Sequence, residues 1–164
     1  MTIDATTITT PIGDLSLLAR DDVIVAAGFA TPQEMAERFT DDELVLKSDL
    51  GRLSRAVEAY FDGDLRALDD LPVSQPGGDF TQTAWKVMRE VPPGETITYT
   101  ELAARAGNSK AVRAAGSACA RNLIAPIIPC HRIVRTGGTT AGKLGGYYYG
   151  LSAKEWLLAH ERGT

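Results

Sequence analysis

Residues 5–29 alternate Thr, Ile and Leu with polar positions around two turn signals, Pro11-Ile12-Gly13-Asp14 and Asp21-Asp22. A period of two marks half-buried strands, so the stretch reads as three short strands of a small antiparallel sheet. Thr31-Pro32 then sets a proline near a helix start, and residues 50–61 space Leu53, Val57, Ala59 and Phe61 in a helical pattern that ends near Gly63. These helices are expected to cover one face of the sheet. Residues 64–78, with Asp69-Asp70-Leu71-Pro72 and Gln75-Pro76-Gly77-Gly78, lose periodicity and read as a linker.

Beyond the linker the period changes to that of helices. Asp79 or Thr81 can cap a helix carrying Phe80, Ala84, Trp85 and Val87, which stops before Val91-Pro92-Pro93-Gly94, and Trp85 reads as core. Thr98-Tyr99-Thr100-Glu101 fits a capping box opening a helix that ends at Gly107. Asn108 or Ser109 can cap a further helix over residues 110–120, and the pair reads as a helix-turn-helix. The second helix is rich in small residues: Ala111, Ala114, Ala115, Gly116, Ser117 and Ala118. Two readings of that slim helix stand, close approach to a nucleic acid or tight packing inside the protein. The fold class is therefore α+β. A small N-terminal domain, 1–78 with its linker, is followed by a mainly helical domain, 79–164.

Composition narrows the setting. The chain has 164 residues, 44% of them hydrophobic, enough for one sizeable domain or two small ones. It shows no apolar run of membrane-spanning length, and Met1-Thr2-Ile3-Asp4 lacks the regions of a signal peptide, so no membrane association and a cytoplasmic location are expected. The two cysteines, Cys119 and Cys130, should be thiols there rather than a disulfide. Neither has partners at zinc-site spacing, so no metal is expected. The net charge of −4 is unevenly spread: residues 1–79 hold 6 Lys and Arg against 16 Asp and Glu, while residues 80–164 hold 11 against 5. A polyanion would meet the second half, where Arg105, Lys110, Arg113, Arg121, Arg132, Arg135 and Lys143 crowd together.

The candidate chemistry lies in the same half. Pro129-Cys130-His131-Arg132 places a thiol beside an imidazole, the makings of an activated sulfur nucleophile. A free cysteine after an apolar run is also a common inert core residue, so the tetrapeptide alone leaves both readings open.

Taken together, Gly94-Glu95-Thr96 and Thr98-Tyr99, then residues 110–116, Asn122, Ile128-Pro129-Cys130-His131-Arg132-Ile133-Val134 and Lys154-Glu155-Trp156-Leu157-Leu158-Ala159-His160-Glu161 resemble the O6-alkylguanine-DNA alkyltransferase family. The resemblance is close over about 79–162 and follows only the general layout before that, where it implies a ribonuclease-H-like supporting domain. It implies single-turnover transfer of the alkyl group from O6-alkylguanine, and from O4-alkylthymine, to Cys130. No cofactor is needed. The partner would be duplex DNA holding an alkylated guanine, met in the minor groove by a monomer.

By the same resemblance His131 is the base acting through a water, Glu161 its orienter, Tyr99 the donor to the guanine ring and neighbour of a phosphate, and Asn122 a brace for the turn before the cysteine. Arg113 fills the space of the flipped base, with Lys110, Ala114, Gly116, Ser117 and Arg121 on the DNA face. The pocket is formed by Cys130, Ile133, Tyr147, Tyr148 and Tyr149, with the carbonyls of Cys130 and Ile133 accepting from the guanine amine. Ser152 and Glu155 are expected to cap the last helix, which ends at Glu161.

Three features depart from the family pattern. Asn122 is followed by Leu123 instead of proline, the glycine-bearing segment 136–146 is long and expected to be mobile, and Tyr148 and Tyr149 add bulk that should narrow the pocket against benzyl-sized adducts.

Overall fold

The structure is a computed structural model that describes residues 1–136 and 144–163. The chain divides into two compact units, Met1–Gln75 with Leu123–Ile127, and Pro76–Asn122 with Ile128–Thr164.

In the first unit, β1 (Thr2–Thr10), β2 (Gly13–Arg20) and β3 (Val23–Gly28) form the expected antiparallel meander. Asp21 and Asp22 turn the second hairpin at φ 53° and 63°, a left-handed pair that short polar side chains tolerate. The helix α1 (Pro32–Glu37) opens on a capping box between Thr31 and Glu34. Met35 and Ala36 of this helix pack on Ile3, Ala5, Leu18, Val25 and Ala26, so it covers one sheet face.

The sheet has a fourth strand that the opening alternation does not announce. β4 (Glu43–Leu46) lies beside β1 and parallel to it, in the order β3-β2-β1-β4. Its four residues follow the acidic run Asp41-Asp42 and leave Leu46 exposed, so no buried alternation betrays an edge strand this short. After α2 (Arg52–Phe61), residues 64–75 are not a free linker either. Leu68 and Leu71 are buried, and Val73 bridges to Ile24, whose N–H donates to Pro72 at 2.9 Å. Leu65, Leu68 and Leu71 recur every third residue, but the run is short and broken by Asp64, Asp69 and Asp70, so it does not stand out in the sequence as a packed element. The distant segment Leu123–Ile127 adds to the same unit, Ala27 N–H donating to Leu123 at 2.7 Å and Ala125 N–H donating to Ala27 at 3.0 Å.

The second unit contains α3 (Asp79–Glu90), β5 (Ile97–Thr98), α4 (Tyr99–Arg105), α5 (Val112–Ala120), β6 (Ile133–Val134) and α6 (Leu151–Arg162). Trp85 is core, as its spacing implies, and its indole N–H donates to Ala118 at 2.9 Å. Thr98 and Glu101 form the expected capping box.

Three helix starts differ from expectation. Asp79 is the first residue of α3, behind a Gly78 cap. Its carboxylate therefore meets the helix dipole without capping a backbone amide. α5 begins at Val112, because Asn108 takes the Lys110 N–H in a local turn and leaves Lys110 before the helix. α6 begins behind Gly150, so Ser152 and Glu155 lie within it, and no side chain caps it.

Candidate active site

Cys130, His131 and Arg132 form a single 3-10 turn that runs straight into β6. β6 pairs in parallel with β5, Ile97 opposite Ile133 and Thr98 opposite Val134. Since β5 leads directly into α4, this two-residue ladder fixes Tyr99 relative to the cysteine turn. Between them opens a cavity of about 550 Å3. Its lining joins Tyr99 and Cys130 to Arg113, Gly116 and Cys119 from α5 and to Arg135, Gly145, Gly146, Tyr147 and Tyr148.

Behind Cys130 lies a buried cluster of His131, Arg132 and Glu161. His131 Nε2 is 2.8 Å from Glu161 Oε2, with both side chains sealed from solvent. The guanidinium of Arg132 grips the same carboxylate with two bonds, Nε to Oε1 at 2.8 Å and Nη2 to Oε2 at 2.9 Å, and gives Nη1 to the Val91 carbonyl at 2.7 Å. Burial alone would raise the Glu161 carboxyl, but His131 and Arg132 outweigh it and hold the group well below the usual carboxylate range. Burial, joined by the charges of Arg132 and Lys154, pushes the His131 imidazolium below its ordinary range against the pull of Glu161, which favours the neutral ring. A carboxylate only accepts, so Nε2 must carry the proton and Nδ1 the lone pair. Nδ1 is buried and has no hydrogen-bond partner among the described residues.

The thiol itself is held rather than exposed. Cys130 is 7% accessible, and burial pushes its titration up, opposed by a hydrogen bond from Asn122 and by the charge of Lys154. Asn122 also donates Nδ2 to the Ile128 carbonyl at 2.8 Å, so one amide braces the turn and touches the sulfur. Tyr99, partly buried, is pushed up to about 12, first by burial and then by the two cysteines, and stays a proton donor at neutral pH.

Other site expectations divide. Lys110, Arg113, Ala114, Ser117 and Arg121 are exposed around α5, while Ala115 and Ala118 face inward. Gly116 faces the cavity and Tyr147 and Tyr148 line it, but Tyr149 and Ile133 do not. Ile133 is fully buried, because β6 turns its side chain into the core, and its carbonyl already accepts from Lys154 at 2.7 Å. Arg132, counted by sequence among the basic residues open to a polyanion, is buried against Glu161. Lys143 and the glycines at 137, 138 and 142, expected to be mobile, lie outside the described residues.

Sequence reading missed three contributors: Arg132 as the clamp on Glu161, Lys154 as a buried cation, and Cys119 as a second free thiol in the cavity wall. Lys154 four positions into an otherwise amphipathic helix resembles a surface lysine, and only the fold shows that it points inward. Among the described residues no cluster of three or more His, Cys, Asp or Glu could hold a metal ion, and no helix is long and apolar enough to cross a membrane.

Residues 3–75 match the 6-O-methylguanine DNA methyltransferase ribonuclease-like domain and residues 79–163 the DNA binding domain of the same family. A methylated-DNA–protein-cysteine methyltransferase of Methanosarcina acetivorans is 39% identical over 152 residues, 92% of this chain and 93% of that one. The crystal structure of the Mycobacterium tuberculosis O6-methylguanine methyltransferase superposes with a TM-score of 0.79 at 31% identity, covering 98% of this chain and 93% of that one. OGT of the same organism in complex with DNA gives 0.81 at 32%, with the same coverage. With both halves matched in order along one chain, this protein belongs to the 6-O-methylguanine DNA methyltransferase family.

Proposed function

We infer that this chain repairs alkylated DNA directly, moving the alkyl group of O6-alkylguanine irreversibly onto its own Cys130, once per molecule. The observation that carries this reading is the thiol at the cavity wall with a neutral, oriented imidazole at the next residue. In the reaction the sulfur attacks the alkyl carbon in line with the C–O6 bond, and the electron pair of that bond leaves on the guanine. A water between Sγ and His131 Nδ1 would carry the thiol proton to the imidazole, whose new charge faces Glu161. Tyr99 donates to ring nitrogen N3 as negative charge develops there, the departing guanine takes the phenol proton, and the proton held by His131 returns through water to the Tyr99 oxygen, so that guanine leaves neutral and both side chains end as they began. The product is a thioether, which explains single use and the absence of any need for a cofactor.

DNA is the partner, and we propose that it is duplex DNA met through the minor groove. The α4–α5 pair acts as the helix-turn-helix, with Ala114 and Ser117 giving α5 a slim outward face. Arg113 has one side on the cavity and is exposed, which suits a planar cation filling the space of a flipped base. Lys110 and Arg121 would contact phosphates. The same cavity has room for the smaller O4-alkylthymine. The acting unit in this reading is a monomer, and a free thiol acceptor suits the reducing cytoplasm. Residues 1–78 serve as the supporting domain.

The test is to incubate the protein with duplex DNA containing O6-methylguanine and weigh the peptide bearing Cys130. A gain of one methyl, absent in Cys130→Ser, is expected. Tight binding with unchanged mass would instead mark a damage sensor, and binding indifferent to alkylation a sequence-specific regulator.

A further inference from the structure

Lys154 is the one lysine among the described residues with no solvent exposure. Its ammonium spends its three donors on backbone carbonyls, Ile133 at 2.7 Å, Leu144 at 2.5 Å and Gly146 at 3.2 Å. Ile133 closes the cysteine turn, whereas Leu144 leads into Gly145 and Gly146, which line the cavity, so one side chain ties the turn to that wall. That wall lies hard against Tyr99. A Cβ on Gly145 would sit 2.6 Å from the phenol oxygen, and the Gly146 backbone bonds to the same hydroxyl.

A buried ammonium is costly to desolvate, and an apolar side chain would fill the same space at less cost. No carboxylate among the described residues pairs with Lys154, in contrast to Arg132, whose charge is taken up by Glu161. The titratable and charged groups that face it are Cys130, Cys119, Arg135 and the neutral His131. Of these only the sulfurs can become anions. We propose that Lys154 is a positioning residue for alkyl transfer, its ammonium fixing the Gly145–Gly146 wall against Tyr99 and serving as the buried counter-charge of the Cys130 thiolate. Its own titration, lowered by burial and partly restored by the two cysteines, fits that role.

The proposal rests on Cys130 being the acceptor, and its test is read without DNA. In a Cys119→Ser background, so that Cys130 is the sole thiol, the rate of its carboxamidomethylation by iodoacetamide is followed against pH. Lys154→Met should move the midpoint upward by about one unit or more, roughly tenfold slower at pH 7, and Lys154→Arg should return it most of the way. A purely structural lysine would leave the midpoint in place, and an unchanged midpoint overturns the proposal.

Should Lys154→Met not fold, linkage supplies a reciprocal readout. The Lys154 ε-carbon followed by NMR should titrate at lower pH in Cys130→Ser than in the parent protein, and identical titrations overturn the proposal. A parent protein that gains no methyl from O6-methylguanine DNA would overturn the repair reading alone.

Discussion

His131 Nε2 and Glu161 Oε2 meet at 2.8 Å in a space closed to water, and the carboxylate that orients the imidazole is itself gripped by Arg132. The arrangement settles the histidine tautomer and keeps the carboxylate's charge compensated whether the ring is neutral or protonated. Glu161→Gln keeps the shape but removes the charge, and the amide can present either its oxygen or its NH2 to Nε2. Single-turnover methyl transfer is expected to fall by about 100-fold or more. The guanidinium of Arg132 is then buried without its counter-ion, so urea unfolding should show a loss of about 3 kcal/mol. Transfer at the parent rate would exclude the relay.

The same pair makes the fold acid-sensitive. The folded titration of His131 lies below its ordinary 6.5, so the unfolded chain binds the proton more readily and stability declines as pH falls below 6.5. Glu161 is also lowered from 4.5, so its contribution is present above that value and is lost as pH falls through and below it. Both effects have the same sign. Urea midpoints at pH 7.5, 6 and 5 should fall in that order, and substituting His131 with Gln should flatten the upper part of the slope.

How far the sequence speaks follows from which residues carry a local pattern. The hairpins of β1–β3, the capping box at Thr98 and Glu101, and the Cys130–His131 neighbourhood are written in adjacent residues, so they were readable. Glu161 and Tyr99 can be assigned only by resemblance, since Glu161 lies 30 positions from His131 and no local pattern links either residue to the cysteine turn. β4 and the packed stretch around Leu68 and Leu71 escaped because their burial depends on distant strands. Arg132 and Lys154 escaped for a further reason. Charged residue types are expected at the surface, and the fold buries them because carbonyls and a carboxylate from other elements receive them.

Arg113 stands exposed near the start of α5, so Arg113→Ala should change stability by no more than about 0.5 kcal/mol. Transfer from duplex DNA should nevertheless drop by about tenfold or more, while transfer from free O6-methylguanine base changes much less. A parallel loss with both substrates would place the arginine in the chemistry rather than in base extrusion. Neutralising Lys110 or Arg121 should lower the slope of log affinity against log salt by about one each.

Tyr147 and Tyr148 stand on the cavity wall, whereas Tyr149 stacks edge-on against both without lining it. Methyl and ethyl adducts should therefore react faster than benzyl ones. Tyr148→Ala should narrow the methyl-to-benzyl rate ratio by about tenfold, the scale on which a pocket discriminates by size. Tyr149→Ala should change that ratio less. Equal parent rates for methyl and benzyl adducts would mean that the tyrosines leave the pocket open.

Gly145 has φ +76°, where a side chain costs roughly 1–2 kcal/mol, and a Cβ there would meet Tyr99 at 2.6 Å from Oη and 2.8 Å from Cε2. Gly145→Ala must therefore displace either the wall or the phenol of Tyr99, the proposed donor to the leaving guanine. Transfer should fall toward the level of Tyr99→Ala, with the iodoacetamide reactivity of Cys130 changing far less. The decisive measurement is the double variant. Tyr99→Ala vacates the space that the new methyl group needs, so adding Gly145→Ala should cost little further transfer, and the two losses should be strongly non-additive. Additive losses would mean that the glycine serves the pocket independently of Tyr99, through its own backbone.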